Sequence, residues 1–331
     1  MSRQSVLVAR GIFPQVLDRL AQHFEVDANP GDLVFSSAEL SARLVGKAGA
    51  LITGSERIDA ALLDAHPQLR AVSTMAVGYN NIDVPACTAR GVLVSNTPDV
   101  LTETTADFGF ALMMAAARRI AESEHFLRAG QWSKWSFDMF AGAEVHGRTL
   151  GVLGMGRIGQ AIARRGALGF GMPVIYHNRS RLDASIEQQL GAQWVSLQAL
   201  LQRCDHLVIV VPYSAQSHHL IGAPELALMK PTATLTNIAR GGVVDDAALA
   251  QALRSGALAA AGLDVFEGEP AVHPELLSVP NIVLTPHIAS ASIATRRAMA
   301  DLAADNLIAA LGCGPDASNP PTALNRQVLA P

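Results

Sequence analysis

The stretch Thr149-Leu-Gly-Val-Leu-Gly-Met-Gly-Arg-Ile-Gly-Gln-Ala-Ile-Ala163 decides the fold. It opens as an apolar run of strand character and closes as an amphipathic helical pattern, with Gly154, Gly156 and Gly159 spaced G-x-G-x-x-G between the two. Gly154 permits a tight turn, Gly156 lets the backbone approach a pyrophosphate, and Gly159 lets the helix sit close on the strand. Arg157 and Ile158 open the helix, so the diphosphate charge would face its unsatisfied N–H groups and the positive end of its dipole. The motif predicts a dinucleotide site; a glycine-rich turn without a ligand is the alternative.

About twenty residues on, a second strand, Val174 to His177, ends in Asn178-Arg179-Ser180-Arg181. An NAD-binding turn normally places Asp or Glu there, to accept from the ribose 2'-hydroxyl. A carboxylate would repel a 2'-phosphate, whereas Arg179 can pair with one and Ser180 can donate to it, with Arg181 as further support. The pattern predicts NADPH as the preferred cofactor and NADH as the second choice. The alternative is that these arginines are ordinary solvated charge.

On either side the same rhythm continues. Short β-rich runs at Val6 to Ala9 and Ala50 to Thr53 alternate with helical patterns at Val16 to His23 and Ala60 to Ala65, the signature of βα units on a parallel sheet. Thr102 to Ile120 reads as one long helix, with Glu103 in its opening turn and Arg118 and Arg119 at its end, each matched to the helix dipole. Gly130 to Gly147 carries Trp132, Trp135 and Phe137 with little periodicity, and a subunit interface would bury them. Further strands are expected at Val208 to Val211, Thr234 to Ile238, Ala259 to Val265 and Ile282 to Leu284, then an Ala-rich helix from Thr295 to Leu311 that packs back on the first domain. The fold class is α/β: two doubly wound parallel-sheet domains with an active-site cleft between them.

Composition narrows the function. A chain of 331 residues with 50% hydrophobic content has material for two domains. A net charge of -4 with 16% charged residues gives no basic field for nucleic acid or for a membrane surface. The start of the chain reads as a strand and not as a signal peptide, and Phe108 to Ala117 is too short to span a bilayer, so a cytoplasmic location is expected. Cys87, Cys204 and Cys313 form no CxxC pair, and His218-His219 have no Cys or Asp at ligand spacing. They read as surface residues, and no metal is expected.

The segments STMAVGYNNIDV, NTPDVLTETTAD, LGMGRIGQAIARR, NIARGGVVDD, AGLDVFEGEP and LTPHIAS resemble, in order, the D-isomer-specific 2-hydroxyacid dehydrogenase family. The resemblance runs from about Leu51 to Leu311. Within the family it is closest to the glyoxylate/hydroxypyruvate reductase branch, which includes 2-ketogluconate reductases, through TPDVLTET, GQWSKW and the acid-free second strand. It implies an NAD(P)-dependent oxidoreductase that reduces a small 2-oxo acid to the D-2-hydroxy acid. Phosphoglycerate dehydrogenase is an enzymatic alternative, and a dinucleotide-sensing corepressor-like binding protein is an alternative of another class.

The resemblance implies a flavodoxin-like substrate-binding domain of residues 1–101 plus 291–331. It implies a dinucleotide-binding domain of residues 102–290, whose segment 102–147 supplies a helix and a dimerisation loop. The family's Arg, Glu and His fall on Arg240, Glu269 and His287. Chemistry suits each role. Hydride addition to a 2-oxo carbon leaves charge on oxygen, and a protonated imidazole, His287, can neutralise it near neutral pH. A carboxylate, Glu269, accepting from the other ring nitrogen orients the ring and favours its charged form, a position for which Glu267 competes until the family pattern selects the residue before Pro270. A guanidinium, Arg240, holds a substrate carboxylate bidentately. The resemblance further assigns substrate contacts to Val77 and Gly78, cofactor contacts to Val211, Pro212, Ile238, Ala239 and Asp264, and to Trp135 a reach into a neighbouring subunit. The expected partner is a second copy of the chain.

Overall fold

The computed structural model describes residues 3–329, and the chain divides into two compact units. One takes the chain up to Leu101 and again from Ser292; the other is Thr102–Ala291.

The first unit alternates β1 (Ser5–Val8), α1 (Pro14–Ala21), β2 (Glu25–Ala28), α2 (Ser37–Leu44), β3 (Gly49–Ile52), α3 (Ala60–Ala65), β4 (Ala71–Thr74), α4 (Val84–Ala89) and β5 (Leu93–Ser95). The helix starts are written locally. Ser36 and Glu39 form a reciprocal capping box for α2, while Asp59 and Asp83 accept from the backbone of α3 and α4. The sheet order is β2-β1-β3-β4-β5, every pair parallel, the flavodoxin-like arrangement.

The second unit begins with α5 (Thr102–Ala117) and α6 (Ile120–Arg128), then β6 (Leu150–Leu153), α7 (Arg157–Phe170), β7 (Val174–His177), α8 (Ala184–Leu190), β8 (Ala192–Trp194), α9 (Leu197–Arg203) and β9 (His206–Ile209). It continues through α10 (Ala223–Leu226), β10 (Thr234–Asn237), α11 (Asp246–Arg254), β11 (Ala260–Leu263), α12 (Pro274–Leu277) and β12 (Ile282–Leu284). The order β12-β11-β10-β9-β6-β7-β8 is again wholly parallel, with β6 beside β9 as the topological switch point. Leu150, Val152, Ile162 and Phe110 fill one side of this sheet, and Leu200, Leu207, Leu235 and Leu253 the other. The chain then returns to the first unit as α13 (Ile293–Ala310), whose Ala303, Ala304 and Leu307 pack with Val8, Leu20 and Leu51.

One expectation is corrected. The single helix read over residues 102–120 ends at Ala117, and a second, α6, begins at Ile120, because Arg119 between them takes a left-handed conformation at φ 53°. Its guanidinium pairs with Glu122 in the first turn of α6 and lies over the Phe140 ring. The β8 strand, with two of its three residues exposed, was not anticipated from the sequence. Among the described residues no helix is long and apolar enough to cross a membrane.

Candidate functional site

The carboxyl ends of the strands of the seven-stranded sheet gather most of the residues singled out above. Gly154 follows β6, Asn178 follows β7, Val211 follows β9, Arg240 follows β10, Asp264 follows β11 and His287 follows β12. Loops at this edge of an open parallel sheet are where such folds bind ligands.

The glycine turn has the geometry its motif requires. Gly154 adopts φ +102°, and a Cβ there would come 2.8 Å from the Val210 backbone. At Gly159 a Cβ would come 2.2 Å from the Gly154 carbonyl oxygen, so only glycine lets α7 lie this close to β6. Gly156, the N-cap of α7, faces open space: nothing lies within 4 Å of where its Cβ would be. No acidic residue occupies the first turn of α7. A helix start with no side-chain cap and no acidic residue in its first turn fits the diphosphate of a nicotinamide dinucleotide.

The segment after β7 is held from several sides. The Asn178 side chain accepts from the Met155 N–H at 2.6 Å, its carbonyl accepts from the Trp194 indole N–H at 3.1 Å, and the Leu182 N–H donates to the Tyr176 hydroxyl at 2.8 Å. Arg179 and Ser180 are exposed at its tip. Arg181, by contrast, is committed elsewhere: both its Nε and an Nη donate to Glu187, at 2.8 and 2.6 Å, and Tyr176 donates to the same carboxylate at 2.7 Å. These bonds hold the Glu187 carboxyl down at about 2. The supporting part given to Arg181 from the sequence is therefore corrected, because its charge is already spent on a carboxylate.

His287, Glu269 and Arg240 lie on three neighbouring loops of this edge. Nδ1 of His287 is 2.7 Å from one Glu269 carboxylate oxygen, and the other accepts from the Phe266 N–H at 2.9 Å. Burial alone would raise the Glu269 carboxyl, but the His287 bond and charge, the Phe266 amide and the Arg240 charge together keep it below the ordinary glutamate value. A carboxylate on Nδ1 puts the proton there and leaves Nε2 as the working nitrogen. His287 itself stands at φ +53°, in the left-handed region that non-glycine residues enter uncommonly. Glu267 makes a different contact, with Nε2 of His219 at 2.7 Å, so Glu269 is the glutamate that meets His287.

Arg240 is half-buried, and desolvation lowers its pKa while Glu269 opposes the shift. It stays a cation. Its loop is pinned by Asn237, which accepts from the Ala239 N–H at 3.0 Å and donates to the Arg240 carbonyl at 3.2 Å. Asp264 is fully buried, and its oxygens accept from the Thr285 hydroxyl and from the Ile288 and Ala289 amides, each at 2.8 Å. Asp264 thus fixes the loop carrying His287, and burial raises its pKa despite those bonds. Neither Asn237 nor Thr285 was singled out from the sequence; their one signal is a polar residue at the end of a strand. Val211 and Pro212 edge the loop after β9, while Ile238 and Ala239 are buried behind Arg240.

In the first unit, Val77 and Gly78 follow β4 in a bend held by the Asn96 side chain on the Val77 carbonyl, at 2.8 Å, and the Thr97 N–H on Ala76, at 3.0 Å. Trp135 is 70% exposed beside Phe137, which is 93% exposed.

Comparison with known proteins identifies the family and the fold. The profile of the D-isomer specific 2-hydroxyacid dehydrogenase NAD binding domain matches residues 110–289. The chain is 48% identical to a glyoxylate reductase of Thermococcus onnurineus over 99% of this chain and 97% of that protein. It is 46% identical to a glyoxylate reductase of Aeropyrum pernix over 99% and 98%. Among solved structures, a Thermus thermophilus protein superposes with a TM-score of 0.88 at 40% identity, covering 97% of this chain and 100% of that one. An NADPH-dependent glyoxylate/hydroxypyruvate reductase from Sinorhizobium meliloti, in complex with NADP and malonate, superposes at 0.83 with 38% identity and 98% coverage of both chains.

Proposed function

The chain belongs to the D-isomer-specific 2-hydroxyacid dehydrogenase family, and from that premise we propose that it reduces glyoxylate, hydroxypyruvate or 2-ketogluconate to the D-2-hydroxy acid, with NADPH preferred over NADH. That it is an NAD(P)-dependent enzyme acting on 2-oxo acids follows from the family itself. The choice of substrate and of cofactor is our reading.

The observation that carries it is the 2.7 Å contact of His287 with Glu269 at the same sheet edge as the glycine turn. Gly154, Gly156, Arg157, Ile158 and Gly159, together with Val211, Pro212, Ile238, Ala239 and Asp264, would hold NAD(P)H, which would supply the hydride. Arg240 holds the substrate carboxylate through two N–H groups and polarises the adjacent carbonyl. His287 delivers the proton from Nε2 to the carbonyl oxygen, and Glu269 keeps the ring oriented and stabilises its charged form. The first unit is the substrate-binding domain in this reading, with the Val77 and Gly78 amides as its donors to substrate. The second, 102–290, is the dinucleotide-binding domain. Arg179, Ser180 and the neutral Asn178 support the preference for a 2'-phosphate, since no carboxylate opposes it there.

The working form in this reading is a cytoplasmic homodimer formed through residues 102–147. Free thiols at Cys87, Cys204 and Cys313 suit a reducing compartment, and the exposed Trp132, Trp135 and Phe137 suit an interface.

Initial rates with glyoxylate, hydroxypyruvate, 2-ketogluconate and pyruvate, each with NADPH and NADH, test the proposal. His287→Ala should lower kcat by about 10²- to 10⁴-fold with cofactor affinity intact. Wild-type turnover in that variant would remove His287 from the mechanism.

A further inference from the structure

Outside the dehydrogenase residues, three side chains of the second unit converge from two loops. His218 and His219 follow β9, and Glu267 follows β11. One Glu267 oxygen lies 2.7 Å from Nε2 of His219, and the other 4.0 Å from Nε2 of His218. The two imidazoles are stacked, with centroids 4.0 Å apart and planes 21° from parallel, so a shared ion would require one ring to rotate until both Nε2 lone pairs meet it. Among the described residues this is the group of three whose potential ligand atoms all fall within 4.8 Å of one another.

One of the opposite ring nitrogens is hydrogen-bonded, and the other faces a carboxylate at longer range. Nδ1 of His218 is 3.2 Å from the Tyr213 hydroxyl, and Nδ1 of His219 is 3.9 Å from the Asp245 carboxylate. A metal-bound histidine characteristically has such an outer partner, which fixes its tautomer and its orientation. The backbone is specialised to match. His219 stands at φ +48°, and Gly242 at φ +75° leaves room where a Cβ would press within 3.2 Å of Tyr213 and 3.3 Å of His218.

The geometry points to a binding site for a divalent cation of the zinc class, with His218, His219 and Glu267 as ligands and a fourth position left to water. Two imidazoles and one carboxylate suit zinc and its transition-metal neighbours better than calcium or magnesium, which take more oxygen ligands. A plain ion pair between Glu267 and His219 accounts for the 2.7 Å contact alone. It does not account for the second imidazole lying within 4.0 Å of the same carboxylate, nor for the Tyr213 hydroxyl held on Nδ1 of His218. The third ligand was hidden from sequence spacing because it lies 48 residues away and is brought in by the sheet. Glu267 is two residues from Glu269, so an ion there would tether the loop after β9 to the loop that orients His287.

The test uses full-length protein stripped with a chelator, then titrated with zinc ion by calorimetry and with cobalt(II) by visible absorption. One zinc ion per chain is expected, with a cobalt spectrum of four-coordinate type. Affinity should fall at least about a hundredfold in His219→Ala and in Glu267→Gln, and about tenfold in Tyr213→Phe, the loss typical of an outer partner. Circular dichroism of each variant checks that it remains folded, and His218→Gln repeats the test with a milder change. No binding of zinc ion up to about 100 μM would overturn the site. So would wild-type affinity in the folded His218→Ala/His219→Ala variant, since the ion would then be held elsewhere.

Discussion

At His287 the reaction comes down to the position of one proton. Nδ1 is taken by Glu269, so the proposed acid is Nε2, and the charge of the ring is balanced by a carboxylate kept below its ordinary pKa. Glu269→Gln keeps the size of that partner and removes its charge. The ring then loses the charged acceptor that holds Nδ1, so kcat for reduction should fall while cofactor affinity is kept, read from initial rates and cofactor titration. Wild-type kcat in that variant would mean that the carboxylate charge has no part in the proton transfer. Cofactor choice is decided just as locally. One charge-assisted hydrogen bond is worth roughly 1.5 to 3 kcal/mol, so Arg179→Ala should weaken NADPH about tenfold to a hundredfold and leave NADH unchanged. Asn178→Asp tests the complementary half, and the structure makes it a clean substitution: Asp retains the acceptor that the Met155 N–H needs, so only the charge changes. It should weaken NADPH and strengthen NADH. Equal effects on both cofactors would reduce Arg179 to surface charge. These residues were legible in the sequence because each belongs to a short motif directly after a strand. The supports, Asn237 and Thr285, were not, because their partners are fixed by backbone geometry that spacing does not carry.

Elements explain what the motifs cannot. The turn between β7 and α8 presents Arg179 because Tyr176, Glu187 and Arg181 clamp its far side. From sequence alone Arg181 looked like a second phosphate ligand, and only the return of α8 over β7 shows that its charge is used. The clamp has a pH signature of definite sign. Glu187 is lowered from the ordinary glutamate value to about 2, so its contribution to stability is fully present above that ordinary value and is lost as pH falls toward about 2. Glu187→Gln should therefore lower the melting temperature at neutral pH, and the gap from wild type should close on acidification through that window. A gap that persisted to the acid end would assign the loss to packing and not to charge. The break at Arg119 is similar in kind. Two arginines at the end of an apolar run read as a simple terminus, yet Glu122 and Phe140, one in the next helix and one in a loop, turn the chain into a second helix.

At the scale of the whole molecule, the aromatic loop raises a question of association. Trp132 and Trp135 are 54% and 70% exposed and Phe137 93%, with Ile120 and Leu127 also open on the adjoining α6. Isolated apolar side chains at a surface need no explanation, but five of them within residues 120–137 of one unit do. Burying them against the same segment of a second copy gives a closed, two-fold arrangement, the commonest solution for a soluble oligomer. The residue types agree, since Trp and Phe are enriched at the centres of interfaces and supply most of their binding energy. Light scattering at micromolar concentration should then give about twice 34.8 kDa. Replacing Trp132 and Phe137 with Ser should shift the molecule toward the monomer, since each large apolar group contributes roughly 1.5 to 3 kcal/mol when buried. Trp135 separates two roles that packing alone would merge. If it only packs, Trp135→Ala should weaken the dimer and leave KM unchanged for every 2-oxo acid in dimeric enzyme. If it reaches a neighbouring subunit's substrate, KM should rise for larger 2-oxo acids more than for glyoxylate while the dimer persists, because the larger substrates alone extend far enough to lose the contact. A 34.8 kDa particle in wild type would remove both roles and leave the aromatic loop to some other partner.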